Sequence, residues 1–134
     1  MAKFPEASWL QALEEKLNSD EKYAQVARNW EGDMLCVIEP GGALQEPLVY
    51  YLDLWHGKCR SSAILENDAS TKAVLTLKAP YDQFVRLIKS ELDPMQALLT
   101  RKVSVQGNMA LLMRNVPVVL DFVRCCREIT TDTI

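Results

Sequence analysis

Residues 81–113 read YDQFVRLIKSELDPMQALLTRKVSVQGNMALLM, and their order sets the fold class. After Pro80, the residues Phe84, Leu87 and Ile88 share one face of a helix that the pattern carries to Leu92. Asp93-Pro94-Met95-Gln96 then joins a carboxylate cap to a proline in the first turn, the start of a short second helix. Val103 and Val105 supply a brief strand, and Gly107-Asn108 opens a helix with Met109, Leu112 and Met113 along one side. That helix breaks at Val116 and restarts at Pro117. The restarted helix carries Val118, Val119, Leu120, Phe122, Val123, Cys125 and Cys126, a band wider than one sheet contact requires. The whole stretch offers apolar faces and almost no reactive groups.

Upstream, Pro5 suits a first helical position and Trp9, Leu10, Leu13 and Leu17 follow at helical spacing. Asn18, three residues before Glu21, reads as the cap of a second helix with Tyr23, Val26, Ala27 and Trp30 on one face, stopped by Gly32. The period then changes. Met34 to Ile38 is an unbroken apolar run, the mark of a strand covered on both faces. Leu48 to Trp55 and Lys58 to Glu66 are strands joined by the tight turn His56-Gly57, and Asn67-Asp68 turns the chain again. Ala73, Leu75 and Leu77 alternate with polar residues as a further strand. Strands joined by such short turns are antiparallel neighbours. The sum predicts an α+β fold, a five-stranded mainly antiparallel sheet covered by helices.

At 134 residues the chain has the size of one domain, read as 1–134, large enough to bury a sizeable core. Hydrophobic residues make up 49% and charged residues 25%, which excludes a disordered chain. No apolar run reaches the roughly 18 residues of a membrane span. The first residues lack a secretory apolar core and the last lack a peroxisomal tripeptide, so a cytoplasmic location is expected. Net charge is -3 and Lys and Arg are scattered, which argues against a nucleic-acid partner and against permanent adhesion to anionic lipid surfaces. Cys36 and Cys59 sit singly in strands, and Cys125 and Cys126 are helical neighbours pointing about 100° apart, an arrangement of buried free thiols and not of a metal site.

Catalytic groups are sparse. His56 is the single histidine and falls in the expected hairpin turn before Gly57, so it reads as a solvated turn residue rather than a base. Glu14-Glu15 and Asp20-Glu21 read as helix-surface or capping carboxylates. The sequence carries no phosphate loop, dinucleotide fingerprint or zinc-helix motif, so no cofactor is expected and the chain is read as noncatalytic.

The pieces, taken in order, resemble the lipid-binding domain of the sterol carrier protein type-two family. They are the hairpin Tyr51-Leu52-Asp53-Leu54-Trp55-His56-Gly57-Lys58, the strand Lys72 to Leu77, the helix start at Tyr81 to Phe84, Leu92-Asp93-Pro94, the basic strand start after Arg101-Lys102, and Gly107-Asn108-Met109. The similarity covers about residues 20–115. Ser90 and Arg101 stand where many members have glycine. The resemblance implies an apolar tunnel between sheet and helices, capped by the last helix as a lid. By the same resemblance, Phe84, Leu87, Ile88, Met95, Leu98, Leu99, Val103, Val105, Met109, Leu112, Met113, Leu120 and Val123 would line it. The implied function is noncatalytic binding and transfer of a fatty acid, acyl-coenzyme A, phospholipid or sterol-like ligand, with transient membrane contact. The alternative is a dimerisation or docking module that uses the same apolar helices, as a homodimer or within a larger assembly.

Overall fold

The computed structural model describes residues 2–67 and 72–134. A short strand β1 (Ala2–Phe4) leads into helices α1 (Ala7–Ser19) and α2 (Glu21–Val26). Strands β2 (Glu31–Glu39), β3 (Leu48–Trp55), β4 (Lys58–Leu65) and β5 (Leu75–Pro80) follow. Then come α3 (Tyr81–Ile88), α4 (Pro94–Leu99), β6 (Ser104–Gly107), α5 (Met109–Arg114), α6 (Val116–Ile129) and β7 (Thr130–Thr133). The main sheet has the order β4-β3-β2-β5-β6, with every pair antiparallel except β2 and β5. The architecture is therefore the expected α+β fold, a five-stranded mainly antiparallel sheet with helices packed on it.

Strand β2 is central, which explains its unbroken apolar run. Leu35 and Val37 are buried on one face with Val49, under Tyr51, Leu65 and Ala73, while Met34 and Ile38 enter the main core on the other. The hairpin between β3 and β4 turns at His56 and Gly57, both with positive φ, +50° and +80°. A side chain at Gly57 would also bring a Cβ to 2.7 Å from the Ala24 carbonyl oxygen. The turn expected at Asn67-Asp68 runs into residues 68–71, outside those described.

Several boundaries differ from the sequence reading. Pro5 does not open the first helix, because Phe4 enters the core in an extended strand, stacked 5.9 Å from Tyr81 and edge-on to Trp9 at 4.8 Å. That strand pairs in parallel with β7, a second small sheet that no periodicity announced. Asn18 does not cap α2. Its amide instead brackets Cys59 on β4, donating to the carbonyl and accepting from the N–H at 2.9 and 2.8 Å. Asp20 takes the capping role, accepting from the Tyr23 N–H at 2.9 Å. Gly32 lies inside β2, where a Cβ would meet Leu111 at 3.2 Å and Val74 at 3.3 Å. Helix α3 stops at Ile88 rather than Leu92. Ser90 takes φ +63°, its N–H reaches the Leu87 carbonyl and the Glu91 N–H the Arg86 carbonyl, a Schellman closure. Arg101 closes α4 in the same left-handed region at φ +59°. These are the two positions where the family pattern has glycine, and each costs about 1 kcal/mol in a residue bearing a Cβ.

An ion-pair network fastens α6 to the first two helices. The Arg124 guanidinium spans Asp121 at 2.8 Å, Asp20 at 2.6 Å and Glu128 at 2.7 Å, and Lys16 adds Asp20 at 3.1 Å and Glu128 at 2.8 Å.

Candidate functional site

Alternation along the central strands builds the floor of a cavity. Met34 pairs with Leu52 of β3 and Leu75 of β5, and Cys36 pairs with Tyr50 and Leu77, so these six side chains share the helix-covered face. Phe4, Trp9, Leu13, Tyr23 and Trp30 close one end, and α3, α4, α5 and α6 form the roof. The enclosed volume is about 120 Å³. Lining side chains from the first two helices and β3 are buried, whereas Phe84, Leu87 and Ile88 of α3, Leu98 of α4 and Val119, Phe122 and Val123 of α6 are only partly so. The cavity therefore opens between α3, α4 and α6.

Its walls carry no charge. The polar atoms of Tyr50, Trp9 and Trp30 find partners in the protein, with the Tyr50 hydroxyl donating to the Pro5 carbonyl, the Trp9 indole to Thr130 at 2.7 Å and the Trp30 indole to the Gly32 carbonyl at 2.9 Å. Burial pushes the Cys36 thiol up to about 12 and the Cys126 thiol well above its ordinary range, so both lining cysteines are neutral near pH 7. Cys36 is enclosed yet keeps accessible surface, because it faces the cavity from the middle of the sheet.

Of the thirteen residues singled out in the sequence, Phe84, Leu87, Ile88, Leu98, Val103, Leu112 and Val123 are brought together in the lining. The other six are not. Met95 and Val105 are partly buried outside it, Val105 beside Leu77 on the edge strand β6. Leu99, Met109, Met113 and Leu120 are 69%, 44%, 52% and 42% exposed, and beside Leu99, Met113 and Leu120 it is the preceding residue, Leu98, Leu112 and Val119 respectively, that lines the cavity. The sheet floor was missed, although the period-two alternation of Tyr50, Leu52 and Leu54 pointed to it. The last helix is more than a lid: Val118, Asp121, Cys125, Cys126 and Ile129 are buried.

Two polar clusters among the described residues lie outside the cavity lining. His56 is half exposed at the hairpin turn, with Nε2 2.5 Å from Glu31. Asp20, Asp121 and Cys125 bring ligand-type atoms within 4.8 Å of one another, but the Arg124 guanidinium sits against both carboxylates and supplies their counter-charge. Among the described residues no helix is long and apolar enough to cross a membrane.

A model of the SCP-2 sterol transfer family matches residues 10–119. A search of curated protein sequences returned no significant match. Among solved structures, a crystal structure of sterol carrier protein 2 is similar at 27% identity over 90% of this chain and 95% of that one, with TM-score 0.82. A conserved hypothetical protein from Thermus thermophilus, described as possibly a sterol carrier protein, is similar at 26% identity over 93% and 88%, also with TM-score 0.82. Sterol carrier protein 2 from Aedes aegypti in complex with palmitate shares the fold at 19% identity over 87% and 92%, with TM-score 0.55. With the family pattern running through the sheet and most of the cavity roof, this chain belongs to the SCP-2 sterol transfer family.

Proposed function

We propose that the chain, as one domain over residues 1–134, is a noncatalytic lipid carrier that shelters a fatty acid, acyl-coenzyme A, phospholipid or sterol-like ligand in this cavity. The observation that carries the reading is a cavity lined throughout by uncharged, apolar surface and open between three helices. The palmitate complex of the Aedes aegypti protein, which shares the fold, supports it. Burying a sixteen-carbon chain gains roughly 13 kcal/mol gross at ~0.8 per methylene, against an association cost of order 4 to 15. The volume of about 120 Å³ is close to that of a cavity of ~150 Å³ that takes one benzene. A long acyl chain therefore requires α3, α4 and α6 to part on loading.

Titration of delipidated protein with a fluorescent fatty acid tests this. Cys36→Phe puts a benzene-sized group into the cavity from a strand that cannot turn it outward. Affinity is expected to fall at least about tenfold, roughly 1.4 kcal/mol, with the melting temperature unchanged or raised. Met113→Trp, on the exposed side of α5, should leave affinity unchanged. Failure of several lipid classes to bind the folded protein would defeat the carrier reading.

Loading needs a donor surface, and the charge distribution supports an anionic bilayer. Between Pro94 and Leu120 the chain has Arg101, Lys102 and Arg114 and no acidic residue, leaving 12 basic against 18 acidic residues elsewhere. These three cations are exposed on the same segments as Leu99, Met109, Met113 and Leu120. At about 1 kcal/mol per cation, Lys102→Glu with Arg114→Glu should weaken sedimentation with phosphatidylserine vesicles more than tenfold and leave that with phosphatidylcholine vesicles little changed. Equal binding to both vesicle types would remove the role of these cations, and a molar mass that doubles with concentration and reverts in Met113→Glu would show that this face joins two copies instead.

A further inference from the structure

An apolar cavity leaves the polar end of a lipid unprovided for. A carboxylate or phosphate drawn into it would lose hydration without gaining a partner, so the head stops at the rim, where water or protein donors reach it. The structure has such a rim. A second pocket, about 280 Å³, lies where α3, α6 and β7 meet, lined by Ile88, Lys89, Arg127, Thr130, Thr131, Asp132 and Thr133. Ile88 lines both spaces, so the two adjoin at that side chain.

The donors there are arranged for an anion. Arg127 donates through Nε to the carbonyl of Leu87, a cavity residue, at 2.8 Å. This bond fixes the guanidinium plane and leaves both terminal nitrogens without a partner among the described residues. Lys89, exposed just past the end of α3, likewise has none. The threonines are otherwise engaged: Thr130 donates to the Cys126 carbonyl at 2.7 Å and Thr131 to that of Ala2 at 3.2 Å. Asp132 accepts from the Thr133 N–H at 2.8 Å and forms no ion pair with Lys89 or Arg127, so the rim keeps one net positive charge. An anchored guanidinium with two free N–H-bearing nitrogens matches the two oxygens of a carboxylate or phosphate.

We propose that Arg127 and Lys89 hold the anionic head group, a carboxylate or phosphate, of the lipid whose tail enters the cavity past Ile88. The proposal rests on the carrier reading and adds selectivity to it, favouring acidic lipids over neutral ones of the same tail.

Hexadecanoic acid and its methyl ester, titrated at neutral pH against delipidated protein, test it, with acetate and inorganic phosphate as ligands without a tail. The wild type is expected to bind the acid about tenfold more tightly than the ester. Arg127→Gln should remove that preference by weakening the acid alone. Lys89→Gln, an exposed change outside the core, should lower acid affinity about threefold in the same direction with an unchanged melt. Equal affinity of the wild type for acid and ester, or equal weakening of both by the variants, overturns the head-group site while leaving the carrier standing. Binding of acetate or phosphate as tight as that of the acid would assign the pocket to free anions and also overturn it. Binding of neither acid nor ester would remove both readings together.

Discussion

Deletion of residues 117–134 is expected to yield a chain with no cooperative thermal transition. A lid could be removed with the sheet left intact, and the sequence alone allows that role. In the structure α6 instead buries Val118, Cys125, Cys126 and Ile129 in the main core, with Val119 and Phe122 packed against it. At about 1.5 to 3 kcal/mol for each large apolar side chain, losing these and uncovering their partners removes on the order of the whole 5 to 15 kcal/mol that holds a domain together. The deletion also takes away β7, the partner of β1, and Thr130, the acceptor for the Trp9 indole. Far-ultraviolet circular dichroism with thermal melting measures the outcome. A truncated chain that keeps its strand signal and melts in one sharp step would mean that α6 is dispensable to the fold and acts on the ligand alone.

Arg124→Met should be the most damaging single change in the ion-pair network, at about 2 to 3 kcal/mol, or roughly 10 °C in melting temperature. Its side chain is 27% exposed and partners Asp121, which is 5% exposed. Without the guanidinium, Asp121 keeps only Lys22, 3.7 Å away and mostly in solvent. The figure lies below the 3 to 5 kcal/mol of a fully buried pair because water still reaches Arg124. Lys22→Met should cost less than about 0.5 kcal/mol, as exposed pairs do. Acid provides an independent readout. The Arg124 hydrogen bond holds the Asp20 carboxyl well below the usual carboxylate range, so the unfolded chain takes up this proton more readily than the folded one. That contribution is complete above an ordinary carboxylate value of about 4 and is lost as pH falls below it. Wild-type melting temperature should therefore drop more steeply than that of Arg124→Met between about pH 5 and 3. Parallel pH profiles would place the network's stabilising effect elsewhere.

The middle of the chain was legible because its signals are local. Turn chemistry at His56-Gly57 and alternating residues on either side fix β3 and β4 to within a residue at each end. Asp93-Pro94 likewise sets the start of α4, where Asp93 accepts from the Met95 and Gln96 N–H groups. The two ends were not legible. Three- and four-residue strands are too short to show a period, and Pro5 meets the sequence criterion for a helix start while standing after a strand. The cavity divides along the same line. Leu98, Leu112 and Val123 could be placed on helices, but α4 and α5 have six residues each, fewer than two turns, so their rotation about the axis is not fixed by spacing. A rotation of one residue separates Leu112, which faces inward, from Met113, which faces out. Gly32 shows the same limit: a glycine between two helical patterns reads as a stop, and only the approach of Leu111 and Val74 reveals why it sits in a strand.

The pairing of Ala2 with Thr130 also bears on the order of assembly. Joining residues so far apart costs a free chain about 4 kcal/mol in loop closure, by the logarithm of the loop's length. Little local interaction offsets that in a three-residue strand, so the contact becomes favourable only after the intervening sheet and helices have shortened the effective loop. The β1–β7 ladder is thus a late event in folding and an early one in opening. Its release frees the segment that borders both Lys89 and Arg127 while the central strands stay paired, so the least cooperative part of the molecule lies beside the cavity's polar rim.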